Sequence, residues 1–338
     1  MNRRAFLAAT GACSVVTASS TRIALAQTPQ ARFAAAAGYS AQQGGVSLLV
    51  VRNGIILGED YPAGGGRDTR WPIGAGTRAF LSLLAASLVE DRLLRLDEAV
   101  SMTLGDWAVH PVKASITVRS LLNGTSGIAF PRGGARDLAT AISLEPSDAP
   151  GVSFSDDPAS YLLFTEVARR KLTAAGRTAD PAIYLTERTL LAIGCTPIGW
   201  ARSQDGQPHF DDGAQVSARG WASAGELIRR VGVWRAQQLV DEDVMREAMR
   251  GSFAEQRAGM GLWLAAPGRY QRGSLGLESD IWRTSSPAPI DLAMAAGDGG
   301  QRLYVSSSEG LVIVRQSRLS EARTWSDAQF LSLLWRDL

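Results

Sequence analysis

The chain has 338 residues, of which 45% are apolar and 20% are charged, with 35 basic and 33 acidic side chains. This ordinary composition excludes intrinsic disorder, and a net charge of only +2 excludes a protein that tracks a nucleic-acid backbone. At about 100 to 200 residues per domain, the length predicts two domains or one domain with a large insertion. No later run approaches the roughly 20 apolar residues of a membrane helix, so we expect no membrane span in the mature chain.

The N-terminal segment has the composition of an export signal. Arg3 and Arg4 precede a modestly apolar stretch, and residues 24–26 read Ala-Leu-Ala, a small-x-small cleavage pattern. The segment resembles a twin-arginine signal peptide, which predicts removal of residues 1–26 and a periplasmic mature protein. An ordinary N-terminal helix is the alternative. Cleavage would leave Cys195 as the single cysteine, and its apolar neighbours predict a buried structural thiol.

Strand patterns occur near both ends of the mature chain. Residues 46–51 and 55–57 flank Asn53-Gly54, which predicts a β-hairpin because this dipeptide supplies the positive φ angles of a tight turn. Short apolar runs split by Gly, Pro and Ser predict further strands at 261–265, 290–296, 302–306 and 311–315. We therefore expect one antiparallel sheet built from both ends of the chain.

Helical periodicity predominates between these strands. Apolar residues at helical spacing predict a long buried helix over 78–94. Further helices are predicted at 159–174, 181–193, 218–231 and 241–250, and Ser326 is expected to cap a closing helix with Phe330, Leu331, Leu334 and Trp335 on its apolar face. The pattern predicts an α+β protein with a sheet domain from 46–100 and 260–338 and a helical insert domain at 101–259. The cleft between them is the default site.

Three segments carry a resemblance to a known family. They are WPIGAGTRAFLSLLAASLVEDRLLRLDEAV, ITVRSLLNGTSGI at 116–128 and PGVSFSDDPASYLLFTEV at 150–167. They resemble the serine β-lactamase-like superfamily of penicillin-recognising enzymes and esterases, and two later segments look like its aminohexanoate-dimer hydrolase and carboxylesterase branch. The resemblance implies a β-lactamase/transpeptidase-like fold, with an antiparallel sheet of N- and C-terminal strands flanked by helices.

The resemblance does not extend to the residues that carry the family's chemistry. In the family, a serine opens a helix and attacks a carbonyl, a lysine one turn later accepts its proton, and a tyrosine shares the proton relay. The matching positions here are Ala75, Arg78 and Asp156. A methyl group is not a nucleophile, and a guanidinium stays protonated at physiological pH, so it cannot act as the base. Neither Lys113 nor Lys171 has a serine three residues before it. No catalytic residue is therefore expected.

The two charged replacements suggest an interaction of their own. If Arg78 and Asp156 occupy the lysine and tyrosine positions, a guanidinium-carboxylate pair could replace the proton relay. The alternative is that both side chains point into solvent. The residues expected to line the cleft or bind there are Trp71, Ala75, Thr77, Arg78, Phe154, Asp156, Trp282, Gly297 and Gly299.

Other candidate nucleophiles and metal ligands have weaker support in the sequence. Thr77, Ser82 and Ser126 are the candidates for a displaced nucleophile. His110 and His209 lie in loop-like contexts, and a single imidazole beside Asp211 and Asp212 favours solvated loop residues over a metal site. Residues 297–300 read GDGG, which predicts a turn between two strands. No metal and no cofactor are expected.

The sequence thus predicts a periplasmic β-lactamase-related protein, catalytically inactive, that acts by binding or scaffolding. Its partner would be a small molecule or another periplasmic protein, not a nucleic acid. The alternative is an active serine-type hydrolase of esters, amides or β-lactams that uses a displaced nucleophile.

Overall fold

Strands from both ends of the chain form the central sheet of this protein. The computed structural model describes residues 28–196, 198–265, 277, 279–318 and 325–334. The predicted signal peptide and Trp335 lie outside these residues. The strands of the described part are β1 (Gly45–Arg52), β2 (Ile55–Asp60), β3 (Trp71–Pro72), β4 (Ile198–Trp200), β5 (Ala214–Val216), β6 (Val233–Trp234), β7 (Gln237–Gln238), β8 (Trp263–Leu264), β9 (Ala293–Gly297), β10 (Gln301–Ser306) and β11 (Leu311–Ser317).

The main sheet is antiparallel and has the order β2-β1-β11-β10-β9-β8. The N-terminal hairpin thus pairs with the C-terminal hairpin, with Val50 opposite Ile313. Asn53 and Gly54 have φ angles of 50° and 81°, as the predicted tight turn requires. The predicted sheet from both ends of the chain is therefore confirmed.

Helices cover both faces of this sheet. In chain order they are α1 (Pro29–Gln42), α2 (Ala79–Glu90), α3 (Val118–Leu122), α4 (Leu138–Ser143), α5 (Pro158–Ala174), α6 (Pro181–Leu185), α7 (Ala218–Arg229), α8 (Glu242–Ala248) and α9 (Asp327–Leu334). Helices α1 and α9 pack together on one face, and α7 packs on β10 and β11. Within the described residues, no helix combines the length and the apolar character needed to cross a bilayer.

Several elements differ from the sequence-based expectation in their bounds. The helix expected over 78–94 spans Ala79–Glu90, after a 3₁₀ turn at Gly74–Arg78. The stretch 181–193 divides into α6 and a single π-helical segment, and strands β3, β5 and β4 form a small sheet that was not expected. Helix α7 lies inside the expected insert 101–259 but packs on the main sheet, so the division into two domains stays an interpretation.

A buried cluster of polar side chains fastens α9 to the sheet. The Asp327 carboxylate accepts hydrogen bonds from Arg302 Nε at 2.7 Å, Tyr304 OH at 2.5 Å and Ser279 Oγ at 2.6 Å. Burial raises the pKa of Asp327, but attraction to Arg302 and these hydrogen bonds outweigh burial, so this pKa lies below its ordinary value. The ionised carboxylate therefore stabilises the fold.

We expect Asp327→Asn to lower the free energy of unfolding at neutral pH by about 3–5 kcal/mol, because the buried Arg302 cation loses its partner. The lowered pKa means that the native protein carries this stabilisation fully above about pH 4 and loses it as the pH falls further. Urea unfolding at pH 7 and pH 3 measures the difference, which should shrink in acid. The exposed Asp298→Asn is the control, and equal losses in the two variants would contradict the role of Asp327.

Candidate functional site

The 3₁₀ turn before α2 places Ala75 against the end of β9. Gly297 in β9 allows this contact, because a Cβ atom there would lie 2.1 Å from the Ile73 carbonyl oxygen and 3.1 Å from the Ala75 amide nitrogen. A side chain at position 297 would therefore push the turn away from the sheet. The predicted Gly297 is thus a packing residue next to Ala75.

Arg78 and Asp156 form the ion pair that the sequence suggested. Arg78 Nη1 lies 2.6 Å from Asp156 Oδ1, and only 14% and 12% of the two side chains are exposed. Arg78 ends the 3₁₀ turn, and Asp156 stands just before α5. Asp157 caps α5 by accepting a hydrogen bond from Ala159 N at 2.9 Å, which fixes the backbone at Asp156. The alternative, that both charged groups point into solvent, is wrong.

Tyr161 completes this arrangement and was missed in the sequence. The Arg78 guanidinium carbon lies 5.0 Å from the centroid of the Tyr161 ring, and the Tyr161 hydroxyl donates a hydrogen bond of 3.4 Å to Asp156 Oδ1. Burial raises the pKa of Tyr161, and the Asp156 carboxylate raises it further. Tyr161 lies only five residues after Asp156, but no sequence pattern indicates that its side chain faces Arg78.

The charge of Arg78 is held in place by these neighbours. Burial lowers the pKa of Arg78, but Tyr161 and Asp156 more than offset burial, so this pKa lies above its ordinary value. A permanently protonated guanidinium cannot take a proton from a nucleophile. Arg78, a permanent cation, thus stands at the position where the family that the sequence resembles has its base.

Little space remains beside Ala75. The cavity there has a volume of about 10 Å³ and is lined by Ala75, Arg78, Asp156 and Tyr161 on one side and by residues 258–259 and 261–263 on the other. A cavity needs about 10–15 Å³ to hold one water molecule. Phe154 also lines this cavity and contacts Trp263, with ring centroids 6.2 Å apart. The predicted cleft is therefore narrow beside the ion pair.

Three other residues expected at the cleft lie elsewhere. Trp71 belongs to β3, where it pairs with Val216. The Trp282 indole is buried and donates a hydrogen bond of 2.8 Å to the Leu264 carbonyl oxygen. Gly299 lies in the turn between β9 and β10, which confirms the turn predicted at 297–300. None of the three lines the cavity beside Ala75.

The hydroxyl groups proposed as displaced nucleophiles are buried. Thr77 Oγ1 donates a hydrogen bond of 2.7 Å to the Gly74 carbonyl oxygen and accepts one of 3.0 Å from Ala214 N. Ser82 Oγ donates to the Ala79 carbonyl oxygen at 2.8 Å.

Ser126 Oγ, also fully buried, lies 2.7 Å from Ser160 Oγ and accepts a hydrogen bond from Ile128 N. All three hydroxyl groups therefore have structural partners.

The potential bases are also engaged away from Ala75. Lys171 Nζ lies 2.6 Å from Glu98 Oε1. Lys113 Nζ and His110 Nε2 lie 3.4 Å and 2.7 Å from the two carboxylate oxygens of Glu145. None of these three residues lines the cavity beside Ala75. Burial raises the pKa of the Cys195 thiol to about 12, as befits the buried structural thiol that the sequence predicted.

A second and larger cavity lies next to the ion pair. It has a volume of about 570 Å³, and Tyr161 lines both cavities. His209, Asp211 and Asp212 stand on its wall, with one potential ligand atom from each within 4.8 Å of the others. Burial and the Asp212 carboxylate raise the pKa of Asp211, while Arg78 lowers it. From the sequence, these three residues were expected to be solvated loop residues, and no sequence pattern indicated the cavity.

Comparisons with solved structures identify the same fold in several proteins. One is a candidate 6-aminohexanoate-dimer hydrolase from Bacillus anthracis, with a TM-score of 0.68 and 15% identity over 88% of this chain and 79% of that one. A penicillin-binding protein homologue from Caulobacter crescentus gives 0.66 and 17% over 90% and 96%. A family VIII carboxylesterase gives 0.68 and 13% over 91% and 96%. At these identities the similarity establishes the fold alone.

No curated protein sequence matches this chain. The family model described as Beta-lactamase, however, matches residues 30–318, which include the sheet and the helices between its two halves. The predicted α+β fold of the β-lactamase/transpeptidase type is therefore confirmed, and the chain belongs to the beta-lactamase family.

Proposed function

We propose that this protein is a catalytically inactive member of the beta-lactamase family that acts by binding or scaffolding. The observation that carries the proposal is the buried Arg78–Asp156 ion pair, with its 2.6 Å contact, beside a methyl group at position 75. Acyl transfer in the resembling enzymes needs an oxygen nucleophile, a neutral base and space for a carbonyl substrate. At the matching positions stand a methyl group and a permanent cation, and the space beside them is only about 10 Å³.

The missing nucleophile has the largest effect. Removing the nucleophile of a hydrolytic triad typically lowers turnover about 10⁶-fold. Here Arg78 also holds a permanent positive charge where a neutral base would be needed, and the cavity of about 10 Å³ leaves little room for a substrate carbonyl. These three features act in the same direction, so we expect no acyl intermediate to form.

The alternative, an active hydrolase with a displaced nucleophile, receives less support from the geometry. Thr77, Ser82 and Ser126 are completely buried and hydrogen-bonded to backbone or serine groups. A nucleophile must reach its substrate and have a base within hydrogen-bond distance. The geometry therefore gives no support for hydrolysis of esters, amides or β-lactams by this chain.

We also propose that the mature protein is periplasmic. The support is the N-terminal sequence alone, where Arg3 and Arg4 precede an apolar stretch and residues 24–26 form a cleavage pattern. Export would leave Cys195, which is buried, as the single cysteine, so the mature chain would need no intrachain disulfide in the periplasm.

We expect the purified mature protein to form no covalent adduct with a fluorescent penicillin and to hydrolyse p-nitrophenyl acetate no faster than buffer. Intact-protein mass spectrometry and absorbance at the nitrophenolate band provide the two measurements. A burst of nitrophenolate, or a mass increase equal to the opened penicillin, would contradict the proposal.

We expect Ala75→Ser alone to stay inert, because Arg78 cannot accept the serine proton. Combining it with Arg78→Lys and Asp156→Tyr restores the residue types of the family, and this triple variant should form a detectable penicillin adduct. Both variants are compared by mass spectrometry after a check of their folding by circular dichroism. Equal acylation of the single and triple variants would show that the ion pair does not block the chemistry.

We expect Arg78→Ala and Asp156→Ala each to lower the free energy of unfolding by about 3–5 kcal/mol, since each leaves a buried charge without its partner. The double variant should lose less than the sum of the single losses, with a coupling of about 0.5–3 kcal/mol in urea unfolding. The exposed pair Arg246–Glu242 is the control and should couple by about 0.5 kcal/mol or less. Strict additivity at Arg78 and Asp156 would contradict a stabilising pair.

We expect the exchange of Arg3 and Arg4 for lysine to reduce the periplasmic fraction of the full chain at least tenfold. Cell fractionation followed by immunoblotting measures this fraction, and Arg22→Lys serves as the control. Undiminished export of the twin-lysine variant would argue against a twin-arginine signal.

A further inference from the structure

The 570 Å³ cavity has the size and lining of a small-molecule site. Ligand pockets in proteins typically measure about 300–1,000 Å³ and combine apolar walls with a few polar groups. Here Phe130, Leu138, Leu162 and Phe210 provide apolar surface, and Phe210 is held from behind by the Trp200 ring at 4.5 Å between centroids. This cavity, unlike the small one beside Ala75, has room for a ligand.

The charges on its lining are predominantly negative. Five carboxylates and one guanidinium, that of Arg136, line the cavity. Glu166 is already neutralised by Arg169 and Arg170 at 2.6 Å each, and Asp137 caps α4 by accepting a hydrogen bond from Thr140 N. The carboxylates without such partners therefore give the lining of the cavity its negative charge.

Asp205 accepts hydrogen bonds from Ser203 Oγ and Gln207 N, which leaves Asp211 and Asp212 as the carboxylates with the fewest partners. Within the described residues, no side chain lies within salt-bridge distance of the Asp211 carboxylate, and Asp212 has only His209 Nδ1 at 3.7 Å. Arg78 attracts Asp211 but is itself paired with Asp156. Asp211 is partly buried and Asp212 is exposed, and partial burial of the Asp211 carboxylate without a paired cation is unfavourable, so a bound cation would relieve it.

We propose that this cavity binds an amphipathic organic amine, with its ammonium group at Asp211 and Asp212 and its apolar body between Phe130, Leu162 and Phe210. A cation fits the acidic end, and an aromatic or aliphatic body fits the walls, whereas an anion would meet uncompensated carboxylates. The proposal deepens the binding role proposed above, since it assigns a ligand class and a place for it. The ligand would lie across Tyr161 from the ion pair.

The test uses dansylcadaverine, a primary amine joined to a fluorescent aromatic body, titrated into the mature protein. We expect saturable binding with a blue-shifted emission, and at least tenfold weaker binding of N-acetyl-dansylcadaverine, which lacks the charge. Asp211→Asn should weaken the amine at least tenfold and leave the acetylated probe unchanged. Leu162→Trp narrows the apolar part of the cavity and should weaken binding of both probes.

Asp106→Asn, an exposed carboxylate outside the cavity, is the matched control and should bind dansylcadaverine like the parent protein. Equal affinities for the two probes, or unchanged amine binding in Asp211→Asn, would overturn the proposal. Displacement of the probe by micromolar Mn²⁺ would also overturn it, in favour of a metal held by His209, Asp211 and Asp212. The acylation measurements do not depend on Asp211, so the two proposals can fail separately.

Discussion

The contact between the Arg78 guanidinium and the Asp156 carboxylate organises the centre of this molecule. It joins the turn before α2 to the start of α5, and the Tyr161 ring covers the guanidinium from the side. A buried pair of this kind contributes little net stability relative to apolar residues, but either charge alone is strongly unfavourable. The pair therefore constrains both residues together, and both of them line the small cavity beside Ala75.

The proposed inactivity and the small size of the cavity beside Ala75 follow from the same residues. A lysine and a tyrosine can exchange a proton because each has an accessible deprotonated form, whereas arginine has none at physiological pH. The neighbouring segment 258–263 packs against the pair, and the cavity shrinks to the volume of about one water molecule. A ligand-sized volume persists on the far side of Tyr161, where the carboxylates of Asp211 and Asp212 lack comparable partners.

Much of this arrangement could be predicted from the sequence because it depends on local patterns. Asn53-Gly54 dictates its turn, and the matched segments place Ala75, Arg78 and Asp156 at one site, where opposite charges favour a contact. Tyr161 was missed because nothing in its segment says which face of α5 turns toward Arg78. The large cavity was missed for a similar reason, since loop 203–212 meets α5 only through the tertiary fold. Helix α7 packs on the main sheet, although its place in the chain predicted that it belongs to the helical insert.

The central claim is that an ion pair stands where the family carries out its chemistry, and that no side chain there can be acylated. A crystal structure of the mature protein soaked with millimolar benzylpenicillin addresses this claim most directly. The account predicts an intact Arg78–Asp156 contact near 2.6 Å and no ligand density joined to protein beside Ala75. Continuous density between any side chain of that cavity and an opened β-lactam ring, or a separated pair, would contradict it.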